Sequence, residues 1–188
     1  MTKNVMIVGV GGQGSLLASK LLGRILLDNG YDVKVSEVHG MSQRGGSVVT
    51  YVRYGEKVHS PIIDKGEADY IVSFELLEAA RYTDYLKKGG KIITNSQQIN
   101  PMPVITGAQA YPDDLVGMMK EKGIAVDCFD ALALAEKAGS AKATNLVLMG
   151  RLSKSLDFSL DQWREAIKRS VPEKLLDMNL KAFDYGRE

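Results

Sequence analysis

The rhythm of apolar and polar positions changes repeatedly along this chain, and the first change is abrupt. Val5-Met6-Ile7-Val8 is a continuous apolar run that breaks into Gly9, Gly11, Gly12 and Gly14. A short run of this kind bounded by glycine predicts a strand buried on both faces of a parallel sheet. From Ser15 to Asn29 the period lengthens, with Leu17, Leu21 and Ile25 at every fourth position and Leu22 and Leu26 beside them. That stripe predicts a helix packed on the sheet and ended by Asn29-Gly30. Tyr31 to Val38 alternates enough for a second strand.

The alternation of strand and helix then fails. His39 to Gly46 is polar and glycine-rich with no helical stripe, and Ser47–Tyr54 is rich in β-branched and aromatic residues. With a turn at Gly55-Glu56 and a second extended piece ending at Pro61, this predicts a β-hairpin where a crossover helix is due. The wound pattern resumes with a strand at Ala68–Phe74, helical turns from Leu76 to Leu86 stopped by Gly89-Gly90, and a strand at Lys91–Asn95. Asn100-Pro101-Met102-Pro103 reads as a loop. Pro112 suits the first position of a helix with Asp113 and Asp114 in its first turn and Lys120, Lys122 and Gly123 at its end.

A strand around Cys128 follows, and Asp130 caps a helix over Ala131–Ala138 that Gly139 ends. The last third is helical. Ser159 and Gln162 form a capping box, with Phe158 and Trp163 at the positions of a hydrophobic staple. Beyond Pro172, Leu175, Leu176, Leu180 and Phe183 form an apolar set that needs a surface to cover. The pattern predicts an α/β protein: a Rossmann-like three-layer α/β/α architecture with a mostly parallel sheet, a β-hairpin insertion after strand two and a helical C-terminal third. At 188 residues, without repeats or a Ser/Gly linker, the chain reads as one domain, its helices over 143–188 covering this domain or a partner.

Composition narrows the function. Lys and Arg number 24 against 23 Asp and Glu, so there is no basic excess to neutralise phosphates and nucleic acid is not expected as a partner. No uncharged apolar run reaches about 18 residues and the chain starts without a charged leader region, so no membrane span and a cytoplasmic location are expected. The single Cys128 excludes an intrachain disulfide and a thiolate zinc site or iron–sulfur cluster held by this chain alone. Its apolar surroundings suit a small core residue, as those of Met118, Met119 and Met149 suit core filling. His39 and His59 lie in no metal-ligand spacing.

Two stretches carry candidate chemistry. Gly9, Gly11 and Gly14 fit the G-x-G-x-x-G spacing, which turns the chain sharply and aims a helix N-terminus at an anion; the same glycines also serve a turn that packs closely with no ligand. Glu37, about 20 residues on, stands where a dinucleotide fold places its ribose-binding acid. The absent crossover helix argues instead for a solvated or loop-bonding carboxylate, as for Glu75. In Gln43-Arg44-Gly45-Gly46, exposed N–H groups beside a guanidinium suit a phosphate or carboxylate, or the arginine ties down an irregular loop. Lys142 and Asn145 read as polar residues at a helix start. No serine, histidine and acid set suggests a hydrolase.

Val8-Gly9-Val10-Gly11-Gly12-Gln13-Gly14, Ser36 to Val48 with its His-Gly-Met-Ser-Gln-Arg-Gly-Gly core, Glu67-Ala68-Asp69, Ala143-Thr144-Asn145 and Asn179-Leu180-Lys181-Ala182-Phe183 together resemble the gamma domain of 2-oxoacid:ferredoxin oxidoreductases. Within that family the closest likeness is to the small (beta) subunits of the indolepyruvate branch. The resemblance implies a non-redox subunit, inactive alone, of an enzyme that oxidatively decarboxylates arylpyruvates such as indolepyruvate and phenylpyruvate. The products with coenzyme A are arylacetyl-CoA, carbon dioxide and reduced ferredoxin. Thiamine diphosphate, Mg2+ and [4Fe-4S] clusters are then expected on a large (alpha) partner subunit, with ferredoxin reached through the complex. Gly9, Gly11, Gly12, Gln13, Gly14, Gln43, Arg44, Gly45 and Gly46 are expected to meet coenzyme A or that partner. Exposed apolar helix faces would also allow such a chain to pair with itself when isolated. The alternatives are a gamma subunit for pyruvate, 2-oxoisovalerate or 2-oxoglutarate, an independent NAD(P)-binding oxidoreductase, and a ligand-free Rossmann-like scaffold.

Overall fold

The computed structural model describes residues 2–39 and 45–188. Six strands form one sheet in the order β2-β3-β1-β4-β5-β6: β1 (Lys3–Val10), β2 (Asp32–His39), β3 (Ser47–Gly55), β4 (Ala68–Ser73), β5 (Leu86–Asn95) and β6 (Ala125–Phe129). β1, β4, β5 and β6 are mutually parallel, whereas β3 runs antiparallel to both β1 and β2. The helices are α1 (Ser15–Asp28), α2 (Leu76–Arg81), α3 (Met102–Ile105), α4 (Leu115–Glu121), α5 (Ala131–Ala138), α6 (Thr144–Ser153), α7 (Leu160–Lys168) and α8 (Leu176–Arg187). None of these is long and apolar enough to cross a membrane.

The pleat of β1 divides the core in two. Val5 and Ile7 join Val52, Val72 and Ile93 beneath α1, α5, α6, α7 and α8, while Met6 and Val8 join Val49, Ile71 and Ile92 beneath α2 and α4. This is the expected three-layer α/β/α arrangement. The C-terminal helices cover the first face of this chain's own sheet: Trp163, Leu146, Val147 and Phe183 are wholly buried there.

Several local expectations are corrected. The piece from Lys57 to Pro61 is not a strand; β3 instead pairs along its full length with β2 on one side and β1 on the other. Its alternating Val48 to Tyr54 supplies both core faces, which a free hairpin arm does not do. Gly89-Gly90 does not end a helix but lies within β5, where the register with β4 shifts between Ala68 and Tyr70. A Cβ at Gly90 would come 3.0 Å from the carbonyl oxygens of Ala68 and Asp69, so only glycine allows this approach. The helix near Pro112 starts at Leu115 because Asp114, at φ 44°, caps it by accepting the Gly117 N–H. Residues Met102–Ile105 form a turn of helix where a loop was expected.

The apolar set after Pro172 also divides differently. The buried stripe of α8 is Asn179, Ala182, Phe183 and Gly186, while Leu175 is exposed. Met119 and Met149 fill core, but Met118 faces solvent.

Candidate functional site

The C-terminal ends of β1 and β4 meet at the glycine turn, and one side chain locks them together. Gln13 Oε1 accepts the Val10 N–H at 2.8 Å, while Nε2 donates to the Phe74 carbonyl and to Gln97 Oε1, each at 3.2 Å. Asn95, wholly buried, donates to the same Phe74 carbonyl and accepts the Ala131 N–H at 3.0 Å, tying in the start of α5. A Cβ at Gly9 would lie 2.9 Å from both Gln13 Oε1 and Phe74 Cβ. Glycine is required there so that Gln13 can tuck beneath the turn.

Gly12 and Gly14 have φ of 100° and 93°. Gly14 is the N-cap of α1, no side chain caps that helix, and its first turn carries no acid. The positive end of a 14-residue helix therefore opens onto a cleft of about 370 Å³ lined by Gly11, Gly12, Gly14, Ser15 and Leu16 with Glu37 and Val48. Backbone N–H groups, a helix terminus and the Ser15 hydroxyl suit a phosphate or carboxylate.

Gly45 and Gly46 reach the same place. The Gly11 N–H donates to the Gly46 carbonyl at 2.8 Å, and the Gly45 N–H to the Gly11 carbonyl at 3.5 Å. Gln43 and Arg44 lie outside the described residues. Glu37 lines the cleft, yet β3 stands between β2 and β1. Glu37 is thus about 10 Å, two strand spacings, from β1 instead of one. In the dinucleotide-binding topology the two strands are neighbours, so the arrangement does not reproduce a ribose site.

Two buried acids, Glu75 and Glu78, hold neighbouring segments in place. Glu75, 1% exposed, caps α2 by accepting the Glu78 N–H at 2.8 Å, and it also accepts the Ile99 N–H at 3.0 Å and the Tyr111 hydroxyl at 2.6 Å. It is the loop-bonding carboxylate, and burial with this carboxylate alongside pushes the Tyr111 phenol upward. Glu78, 3% exposed, accepts the Ser47 hydroxyl and, at 2.7 Å, Arg81 Nη1. Burial raises its pKa, and the Ser47 and Arg81 contacts offset part of that rise. Sequence reading passed over Glu78, Asn95 and Gln97; three residues on from Glu75, only the predicted helix turn placed Glu78 near anything.

On the other side of the turn a smaller cleft, about 230 Å³, is lined by Gly12, Gln13, Phe74, Gln97, Lys142 and Thr144 among others. Lys142 lies in a short 3-10 turn before α6, and Asn145 is buried with its amide nitrogen against Gly14. Cys128 is half-buried in β6, and burial pushes its thiol upward, which suits packing and not nucleophilic attack. Among the described residues no three His, Cys, Asp or Glu side chains converge as a metal site.

Residues 4–188 match the family described as pyruvate ferredoxin/flavodoxin oxidoreductase. The chain belongs to this family. It is 48% identical to the indolepyruvate oxidoreductase subunit IorB of Thermococcus kodakarensis, covering 97% of this chain and 93% of that protein. Against the IorB subunit of Archaeoglobus fulgidus identity is 40%, with 99% and 94% covered. The gamma subunit of a keto/oxoacid ferredoxin oxidoreductase from Geobacter sulfurreducens shares the fold at a TM-score of 0.74 and 21% identity, with 99% and 94% of the chains covered. A 2-oxoglutarate:ferredoxin oxidoreductase from Magnetococcus marinus, solved with 2-oxoglutarate, coenzyme A and succinyl-CoA, aligns at a TM-score of 0.71 and 18% identity, with 99% of this chain matching 30% of that one.

Proposed function

We propose that this chain is the small, non-redox subunit of a cytoplasmic indolepyruvate:ferredoxin oxidoreductase, forming one domain that works only within the assembled enzyme. The observation that carries this reading is near-full-length identity of 48% and 47% to the IorB subunits of Thermococcus kodakarensis and Pyrococcus horikoshii. Identity falls to 32% for a 2-oxoglutarate synthase subunit and 25% for a pyruvate/ketoisovalerate gamma subunit, which favours arylpyruvates over those substrates.

In the proposed reaction an arylpyruvate and coenzyme A give arylacetyl-CoA and carbon dioxide, and two electrons leave on ferredoxin. Thiamine diphosphate with Mg2+ and [4Fe-4S] clusters on a large subunit supply the carbanion and electron chemistry. This chain does not fit the clusters, since one half-buried cysteine cannot hold one. It does fit a phosphate-bearing co-substrate. The N–H groups around Gly12, Gly14 and Ser15 would hold a phosphate of coenzyme A, Gly45-Gly46 would close the cleft beside it, and Gln13 would keep the turn rigid. Arg44 would add a bidentate charge. None of these residues moves electrons.

The test is reconstitution. A cofactor-loaded large subunit is assayed with indolepyruvate, coenzyme A and a viologen dye, with and without this chain. Activity that needs the chain supports the reading, and full activity without it refutes the reading. Arg44→Ala is expected to raise the coenzyme A KM with the complex intact; an unchanged KM would remove the loop from that role.

A further inference from the structure

Along α1 the cleft at the glycine turn adjoins a wider trough, and Leu16 lines both. The trough encloses about 550 Å³ between α1, the edge strand β2 and the end of α7. Leu16, Leu27 and Val35 are 49%, 60% and 47% exposed on it. Leu16, Lys20, Gly23 and Leu27 recur at intervals of four, three and four, which places them on one face of the helix. Gly23 leaves a notch, since a Cβ there would meet nothing within 4 Å. From Leu16 to Leu27 the helix rises about 16 Å, the length of three turns of a partner helix.

The charges bordering this apolar floor are one-sided. Within the trough Lys20, Arg24 and Arg169 stand with one acid, Asp28, which already pairs with Arg169 at 3.1 Å, while Glu37 lines the adjoining cleft. No carboxylate among the described residues pairs with Lys20 or Arg24. A two-fold contact centred on this trough would bring those bases up against their own copies. We infer that the trough seats an apolar, acid-flanked helical segment of the cofactor-carrying subunit, with a side chain of that segment lodged over Gly23. This rests on the subunit reading above. The glycine-turn cleft, which adjoins the trough at Leu16, then lies at the edge of the junction between the subunits.

The test measures binding of this chain to the cofactor-loaded large subunit under anaerobic conditions by biolayer interferometry. Leu27→Asp and the double variant Lys20→Glu/Arg24→Glu are each expected to weaken binding at least tenfold. Gly23→Leu fills the notch while improving helix propensity, so it should raise Tm and yet weaken binding. If all three bind like the wild type, the trough is not the docking face while the subunit reading stands. Absence of binding by the wild type would overturn the reading itself. If the isolated chain forms a dimer that Leu27→Asp dissolves, the occupant is a second copy and the inference fails.

Discussion

The Gly11 N–H donates to the Gly46 carbonyl across 2.8 Å, joining two glycine-rich segments that lie 35 positions apart in the chain. The β1–β3 ladder makes this bond possible. Val10 stands opposite Ser47, so each residue beyond that pair carries the loop further over the turn. The glycine turn that leads into α1 and the Gly45-Gly46 segment are thereby held side by side.

Beneath that junction, Gly9→Ala would drive a methyl group into Gln13 Oε1 and Phe74 Cβ. We expect a loss of about 1–3 kcal/mol in urea unfolding, typical of an overpacked site. Gln13→Ala removes the latch without the clash and should cost about 1 kcal/mol. Equal stability of Gly9→Ala and wild type would contradict the packing described.

Helices α6 and α8 touch backbone to backbone. A Cβ at Gly150 would collide with the Phe183 carbonyl, and one at Gly186 with the Val147 carbonyl. Either alanine variant should lose roughly 3 kcal/mol or fail to fold, since backbone cannot step aside as a side chain does. Thermal unfolding by circular dichroism reads this directly, and an unchanged Tm would speak against the close approach.

The capping box was legible in the sequence and is present in full: Gln162 N–H donates to Ser159 Oγ, and Ser159 N–H donates to Gln162 Oε1 at 2.7 Å. Phe158 and Trp163 meet edge to face with centroids 6.3 Å apart, completing the staple. Ser159→Ala should lower stability by about 1 kcal/mol. Trp163, the only tryptophan, provides the fluorescence signal for that measurement.

These local devices were readable because each needs only neighbours in the chain. The glycine turn, the stop at Asn29-Gly30 and the Asp130 cap belong to the same class. The placement of β3 did not, since β-branched alternation in Val48 to Tyr54 predicts a strand but not its partners. Gly89-Gly90 looked like a helix stop because its purpose lies across the sheet, at the carbonyls of Ala68 and Asp69. Glu78 carries no signal in sequence, as its role comes from a fold that buries it beside Ser47.

Glu78 also gives a pH dependence. Its folded pKa is raised above the ordinary 4.5 by burial, so the folded state binds the extra proton. Its contribution to stability is greatest below about the unfolded pKa and is lost as pH rises through the folded value. Glu78→Gln should remove this slope, so the stability of wild type relative to the variant should fall between pH 4.5 and neutrality. Urea midpoints of both proteins across that range test it, and a pH-independent difference would contradict it.

Anaerobic affinity purification of this chain from its native host tests most directly the proposal that it works as the small subunit of an arylpyruvate oxidoreductase. The purified material would be examined by absorption spectroscopy and by dye reduction with indolepyruvate, pyruvate and 2-oxoglutarate, each with coenzyme A. A brown large subunit that accompanies the chain and reduces dye fastest with indolepyruvate is the expected result. Recovery of the chain alone and colourless, or a complex that prefers pyruvate or 2-oxoglutarate, would contradict that assignment.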